Sequence, residues 1–425
     1  PKEVLITTMA THQRYFPVAR EDGSLLPMFV GVRNGGDQHL ENVIAGNEKV
    51  IRARLADARF FFDEDLQIPL EGYVPRLEGM VYQEGLGTMR EKTKRLEQLA
   101  KAVAEQLGLE RQEQTLLLRS AALCKADLVT HLVYEFPELQ GIMGREYALR
   151  SGEDPAVAQA IHEHYLPTGS GGELPQSRIG ALLALCDKVD AIVGNFSIGI
   201  QPTGSQDPYG LRRQALGILR ILHQLEEQDT VITLGQLLEA GFHVYQSQLQ
   251  LQDTQSIKNN IYDFIGTRLK ILLSEQGYAA EVIDAVLARG FDRPRDTWLR
   301  THVLDSLWRN NQLEDLLTIH RRCSNLAEKA DAGQSVNPDQ FVTEWEINCY
   351  EQLHHLQPKA NEALQAGDYP AYFQTLAQLR QSVDQLLDRV MIMDENQEIR
   401  RNRLALLREI RDWVCGAADL GRLPG

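Results

Sequence analysis

No stretch of this 425-residue sequence approaches the roughly 20 consecutive apolar residues that a membrane helix requires. Its apolar runs are broken by Arg, Asp or Gly, so no segment is expected to span a bilayer and no membrane partner is expected. A secretory leader is not expected either. The sequence opens at Pro1, without Met and without a basic segment running into an apolar one, and further sequence is expected upstream. Cysteine is scarce: Cys124, Cys186, Cys323, Cys349 and Cys415 are odd in number, far apart and never arranged as Cys-x-x-Cys. That fits neither a disulfide framework nor a zinc site, and points to buried, reduced thiols of a cytoplasmic protein. Positive charge is in deficit, with a formal net charge of −15. A general nucleic-acid binder is disfavoured on that count, because non-specific affinity comes from cations that neutralise phosphates, although a local basic face is compatible with it. Phosphate-cradling loops are lacking as well, whether Walker-type, Gly-x-Gly-x-x-Gly after a strand, or the Gly-x-Ser-x-Gly of hydrolases.

What is present is a hydrophobic content of 43%, enough for substantial cores spread over two to four domains. The expected fold class is mainly α. Residues 1–68 read as the end of an α+β domain: Val4, Leu5, Ile6, Thr7 and Thr8 predict a strand, as do Tyr15, Phe16, Pro17 and Val18. The Asp22-Gly23 pair before the extended run 25–32 predicts a hairpin. Val50, Ile51, Leu55 and Ala58 recur at helical spacing, and Phe60, Phe61 and Phe62 predict a bulky buried end. Beyond residue 68 the apolar spacing is helical almost throughout. Leu96, Leu99, Val103 and Leu107 predict one helix stopped by Gly108, and Leu376, Leu379, Val383, Leu386 and Val390 predict another. Loops are signalled at 167–172, 201–205 and 333–338. The largely polar run 224–230 sets an expected boundary near residue 230, giving helical domains at 69–230 and 231–425.

The segment Ala121, Ala122, Leu123, Cys124, Lys125, Ala126, Asp127, followed by Ile161, His162, Glu163, His164 and by Asp187, Lys188, Val189, Asp190, resembles an HD-type helical domain. Metal-dependent members of that family hold a divalent ion with a His, a His-Asp pair and a later Asp. Here Cys124 and Lys125 stand where the pair would be, and an ammonium has no lone pair for a metal. The pocket formed by Cys124, Lys125, Asp127, His162, His164, Asp187 and Asp190 is expected to be degenerate. Its plainest reading is a polar network that satisfies its own hydrogen bonds. No residue of this chain is assigned a catalytic or metal-ligating role.

Longer strings are more specific than any single motif. Thr8-Met9, then His12 to Val18, then Gly46-Asn47-Glu48-Lys49-Val50, and Arg54-Leu55-Ala56-Asp57-Ala58-Arg59 are one set. Lys125 to Thr130, Val133 to Gly144, Pro202 to Ser205 and Leu211 to Gly217 follow in order. Together they resemble the beta subunit of the two-subunit bacterial glycyl-tRNA synthetase. Near the other end, Asp388 to Leu407, with His320 to Leu326 upstream, is similar to the last helices of the anticodon-binding domain shared with arginyl-tRNA synthetases. The resemblance places Arg321, Arg322, Arg400, Arg401 and Arg403 in one helical bundle and implies that they contact tRNA. Planar guanidinium forks suit phosphates and base edges. The competing reading of those arginines is a solvated face screened by Asp394, Glu395 and Glu398. Trp345, Tyr350, Tyr369, Tyr372 and Phe373 are available for base stacking and equally ordinary as core.

The short sequences with which either class of aminoacyl-tRNA synthetase builds its ATP site are not found. The resemblance therefore implies a non-catalytic subunit of glycine-tRNA ligase with glycine tRNA and a catalytic alpha subunit as partners, in an assembly of two alpha and two beta chains. ATP and magnesium would be used by the alpha subunit, and this chain would carry no cofactor. Two alternatives from other classes are a metal-dependent HD-type phosphohydrolase and a non-catalytic helical scaffold.

Overall fold

A computed structural model describes residues 1–425 apart from 37, 170, 205, 247, 250–252, 332, 425 and the side chain of His12. Ser170 and Ser205, parts of two expected loops, lie outside the described residues, as does the His12 side chain. The chain divides into two compact units, Pro1–Tyr262 and Asp263–Gly425.

The first unit begins with helix α1 (Lys2–Thr7) and a π-helical turn (Thr8–His12), where the β-branched run predicts a strand. The helix wins because the Thr8 hydroxyl donates back to the Val4 carbonyl at 2.8 Å and Val4 packs inward. The hairpin forms as expected: β1 (Tyr15–Ala19) pairs antiparallel with β2 (Leu25–Gly31), and Gly23 turns at φ +78°. Helix α2 (Leu40–Asp65) follows, and its aromatic end is less buried than its composition predicts, with Phe60 60% exposed. A short second hairpin, β3 (Val81–Gln83) with β4 (Gly87–Thr88), leads into the helical part.

That part contains α3 (Met89–Gln106), α4 (Arg111–Leu123), α5 (His131–Glu135), α6 (Ile142–Arg150), α7 (Pro155–Glu163), α8 (Arg178–Ser197), α9 (Leu211–Glu227) and α10 (Leu234–Gln246). Gly108, at φ +58°, stands just past the end of α3, where the sequence puts a stop. Every residue of α8 from Ile179 to Phe196 is buried, so α8 is the axis around which α3, α4, α7, α9 and α10 pack. Because α10 packs on α3 and α8, the first unit runs past the expected boundary at residue 230. The polar run 224–230 is only the end of α9 and its exit turn. Helix α11 (Thr254–Glu275) contains the division between the units.

The second unit holds α12 (Ala280–Leu287), α13 (Pro294–Arg309), α14 (Glu314–Ala327), α15 (Glu344–Ala366), α16 (Tyr369–Ala377), α17 (Arg380–Arg389) and α18 (Gln397–Val414). Its core joins Ile319 and Cys323 of α14, Cys349 and Leu353 of α15, and Leu406, Leu407 and Ile410 of α18. The single helix expected over residues 376–390 is two, α16 and α17, joined at Gln378 and Leu379. Leu376, Leu379, Val383 and Leu386 still bury together, so the apolar spacing survives the break. Tyr369, Tyr372 and Phe373 are core residues, while Trp345 and Tyr350 are half-buried.

Candidate functional site

The first candidate is the polar centre of the first unit. Helix α3 starts with a capping box: the Glu91 amide donates to the Thr88 hydroxyl at 3.2 Å, and the Thr88 amide donates to the Glu91 carboxylate at 2.7 Å. That start sets the phase of α3 so that Lys92 and Arg95 lie on the same buried stripe as Leu96, Leu99 and Val103. Both cations point at α8. Lys92 Nζ is 2.9 Å from Asp187 and 2.7 Å from Asp190, and Arg95 Nε is 2.7 Å from Asp190. Tyr245 of α10 donates to Asp190 at 2.9 Å. From the turn after α4, Lys125 Nζ reaches Asp187 at 3.2 Å and lies 4.1 Å from the Tyr165 ring centre.

Burial alone would raise the two carboxyl pKa values. The ammoniums of Lys125 and Lys92 outweigh it and hold Asp187 well below the usual carboxylate range; Lys92 and Arg95 do the same, less strongly, for Asp190. Around them, burial pushes the other groups toward neutrality. Cys124 is raised to about 12, and its thiol donates to the Ala121 carbonyl. Burial drives His164 well below its ordinary value, helped by Lys125, and its Nδ1 sits 2.6 Å from the Ile161 carbonyl. Lys188, which donates to the His164 carbonyl, is lowered to about 7.

Asp127 is drawn into a different task. Its Oδ2 accepts from the amides of Gly141 at 2.6 Å and Gly144 at 3.0 Å, tying the turn after α4 to the start of α6. Gly141 sits at φ +77°, and a Cβ there would lie 2.6 Å from the Tyr165 ring. This accounts for the glycines in the Gly141 to Gly144 string. Half-buried His162 projects from α7 and reaches none of these carboxylates within hydrogen-bond distance; Glu163 beside it takes the amides of Gln176 and Ser177, fastening the start of α8.

A divalent ion fits this centre badly. Asp187 and Asp190 are occupied by three cations, and ammonium groups cannot ligate a metal. Among the described residues, three metal-capable side chains converge elsewhere: His320, Cys415 and Asp419 have donor atoms within 4.8 Å of one another. Those donors have other uses, since His320 Nε2 is 3.0 Å from the Ser324 hydroxyl and Asp419 is 3.1 Å from Arg422. The sequence reading missed Lys92, Arg95 and Tyr245. The available signal was two cations at core positions of an otherwise apolar helical stripe.

The second candidate is the set of five arginines in the second unit, and their partners lie on different elements. Arg403 is not on a surface: it is 4% exposed, donates to Glu346 at 2.8 Å and to Asp394 at 2.8 Å, and also reaches the Met391 carbonyl. Glu346 is the N3 residue of the capping box that starts α15, so Arg403 ties α18 to α15. This removes Arg403 from the expected RNA face. Arg322 pairs with Asp384 at 2.6 Å and with Asp388, bracing α14 against α17. Arg401 is exposed and pairs at 3.1 Å with equally exposed Asp331. Arg400 is half-buried, with only a 3.5 Å contact to the Asp394 carbonyl, and Arg321 is exposed with no ion pair among the described residues. Of the expected acidic screen, Asp394 alone engages these arginines; Glu395 and Glu398 form no ion pair with them among the described residues. Arg321, Arg400 and Arg401 are therefore the members with cationic capacity left for a ligand.

Two family profiles match the chain. One, described as glycyl-tRNA synthetase beta subunit, covers residues 1–288, and the other, described as DALR anticodon binding domain, covers residues 316–420. Among curated proteins, the glycine-tRNA ligase beta subunit of Desulforudis audaxviator is 46% identical over 99% of this chain and 61% of its own length. The proteins of the same name from Clostridioides difficile and Desulforamulus reducens are 44% and 43% identical over 100% of the chain and 60% of their lengths. The chain thus spans about three fifths of the length of these relatives.

Proposed function

The chain belongs to the glycyl-tRNA synthetase beta subunit family, and on that premise we propose that it is a tRNA-binding part of glycine-tRNA ligase that does not itself activate the amino acid. The observation that carries the reading is the end-to-end similarity to beta subunits, joined to an anticodon-binding match that lies within the helical second unit. In this reading the second unit meets the anticodon arm through Arg321, Arg400 and Arg401. The adenylate forms on a separate alpha subunit, where ATP and magnesium are consumed. The working assembly pairs two alpha with two beta chains in the cytoplasm, and no described helix is long and apolar enough to cross a membrane.

The polar centre of the first unit is then structural: the α8 carboxylates hold α3 through Lys92 and Arg95, the turn after α4 through Lys125, and α10 through the Tyr245 hydroxyl. A phosphohydrolase reading would need a metal where Lys92 and Lys125 now sit. A co-precipitation with the alpha subunit and labelled glycine tRNA tests the proposal. Binding of glycine tRNA, weakened by anticodon changes, is the expected result. Absence of any RNA shift would favour a protein scaffold, and chelator-sensitive hydrolysis of phosphoesters would favour the hydrolase.

A further inference from the structure

Residues 1–65 are packed far more loosely than the rest of the first unit. Their buried apolar side chains are Val4, Met9, Ile51 and Ala58, and of the 26 residues of α2 only Ile51, Ala58 and Asp65 are buried. The hairpin explains why. Strand pairing puts Phe16 opposite Val30 and Pro17 opposite Phe29, so the two faces of the ribbon can be assigned. On the inner face Tyr15 stacks on Phe29 with ring centres 4.8 Å apart, and a Cβ at Gly31 would lie 3.9 Å from Asn47 of α2. That face is turned to the helix. The outer face carries Phe16, Met28 and Val30, continued by Val32, and these are 60%, 54%, 52% and 79% exposed.

A sheet that is apolar on both faces belongs between two layers, whereas a one-sided sheet alternates apolar with polar residues. Two strands alone are marginally stable in water, and both outer edges of this ribbon lack a neighbouring strand among the described residues. The patch carries no charge, which disfavours nucleic acid as its cover. The relatives, meanwhile, have about two fifths of their length outside the part that this chain matches. We propose that the outer face of the β1–β2 hairpin is an intramolecular docking surface. Its occupant is a strand-containing layer from the part of the polypeptide that the relatives have and the matched stretch does not. The layer adds to an edge of the ribbon and covers Phe16, Met28 and Val30, completing an α+β domain of which residues 1–65 are one side. This rests on family membership and is independent of the tRNA reading.

The test is oxidation of Met28 by peroxide, read by mass spectrometry, with amide exchange over residues 15–31. It compares the 425-residue chain with a family-length polypeptide containing it, each free of other subunits. Met28 oxidation slowed by about tenfold or more in the longer polypeptide, with matching amide protection, is the expected result. Equal oxidation in the two would overturn the proposal. So would protection that needs an added second polypeptide, or protection in the 425-residue chain that grows with its own concentration, because the occupant would then be another chain.

Discussion

Arg403 and Arg321 belong to helices packed against each other, α18 and α14, yet they carry opposite consequences. Arg403 shares a buried ion pair with Glu346, whose own pKa is held down by Arg403 against the effect of burial. Removing one partner of such a pair costs about 3–5 kcal/mol, so Arg403→Ala should shift the denaturant midpoint of unfolding strongly downward. Arg321→Ala should change stability by no more than about 0.5 kcal/mol. If the proposed anticodon contact is right, it should weaken tRNA binding and flatten the salt dependence by about one unit of slope. An unchanged slope would return Arg321 to the solvated face. Lys188 offers a pH test. Its folded-state pKa, about 7 against 10.5 when unfolded, means that the unfolded chain binds more protons across that window. Stability from this group therefore rises between pH 7 and 10.5, by at most about 1.4 kcal/mol per pH unit, and that gain is lost again as pH falls from 10.5 to about 7, with no further change below. Lys188→Met should flatten that rise, measurable by urea unfolding at pH 7, 8 and 9.

At the scale of elements, short pieces are held by side chains far away in sequence. Helix α5 has five residues, too few to persist alone, and its first amides are capped from the end of α2. Asp65 accepts from the amides of His131 at 2.9 Å and Leu132 at 3.0 Å and from the Tyr147 hydroxyl at 2.8 Å. Hydrogen bonds to a buried charge contribute more than neutral ones, so Asp65→Ala should cost about 3 kcal/mol or more and speed amide exchange at His131 and Leu132. A near-neutral result would show that α5 is held by packing alone. No sequence pattern announced this cap, because 66 residues separate Asp65 from His131. Local caps were different: the Thr88 and Thr343 boxes each place a Glu three residues on and are visible in the sequence. The strand expected at residues 4–8 failed for the converse reason. Its β-branched composition is a weak local preference, overridden where Val4 found a buried contact in helical form.

For the whole molecule, the proposed division of labour predicts that the purified chain will show no glycine-dependent exchange of pyrophosphate into ATP. Adenylation needs preorganised groups around the transferring phosphate, and none of the known loops that supply them occurs in the sequence. Measurable exchange without an alpha subunit would end that reading. The sequence by itself determined the helical class, the first hairpin, the stop after α3, and, through ordered strings matching a family, the membership that the comparisons then bore out. Those features are local, written in spacing, turn residues and word order, and they need no knowledge of what lies across the core. Only the tertiary structure decided that Lys92 and Arg95 meet Asp187 and Asp190, that Arg403 is buried while Arg321 is not, and that α10 belongs with the first unit. An arginine within a helix reads the same whether it faces water or a glutamate 57 residues away. Its burial is set by which helices pack against it, and charge pairing across a core is a property of that packing.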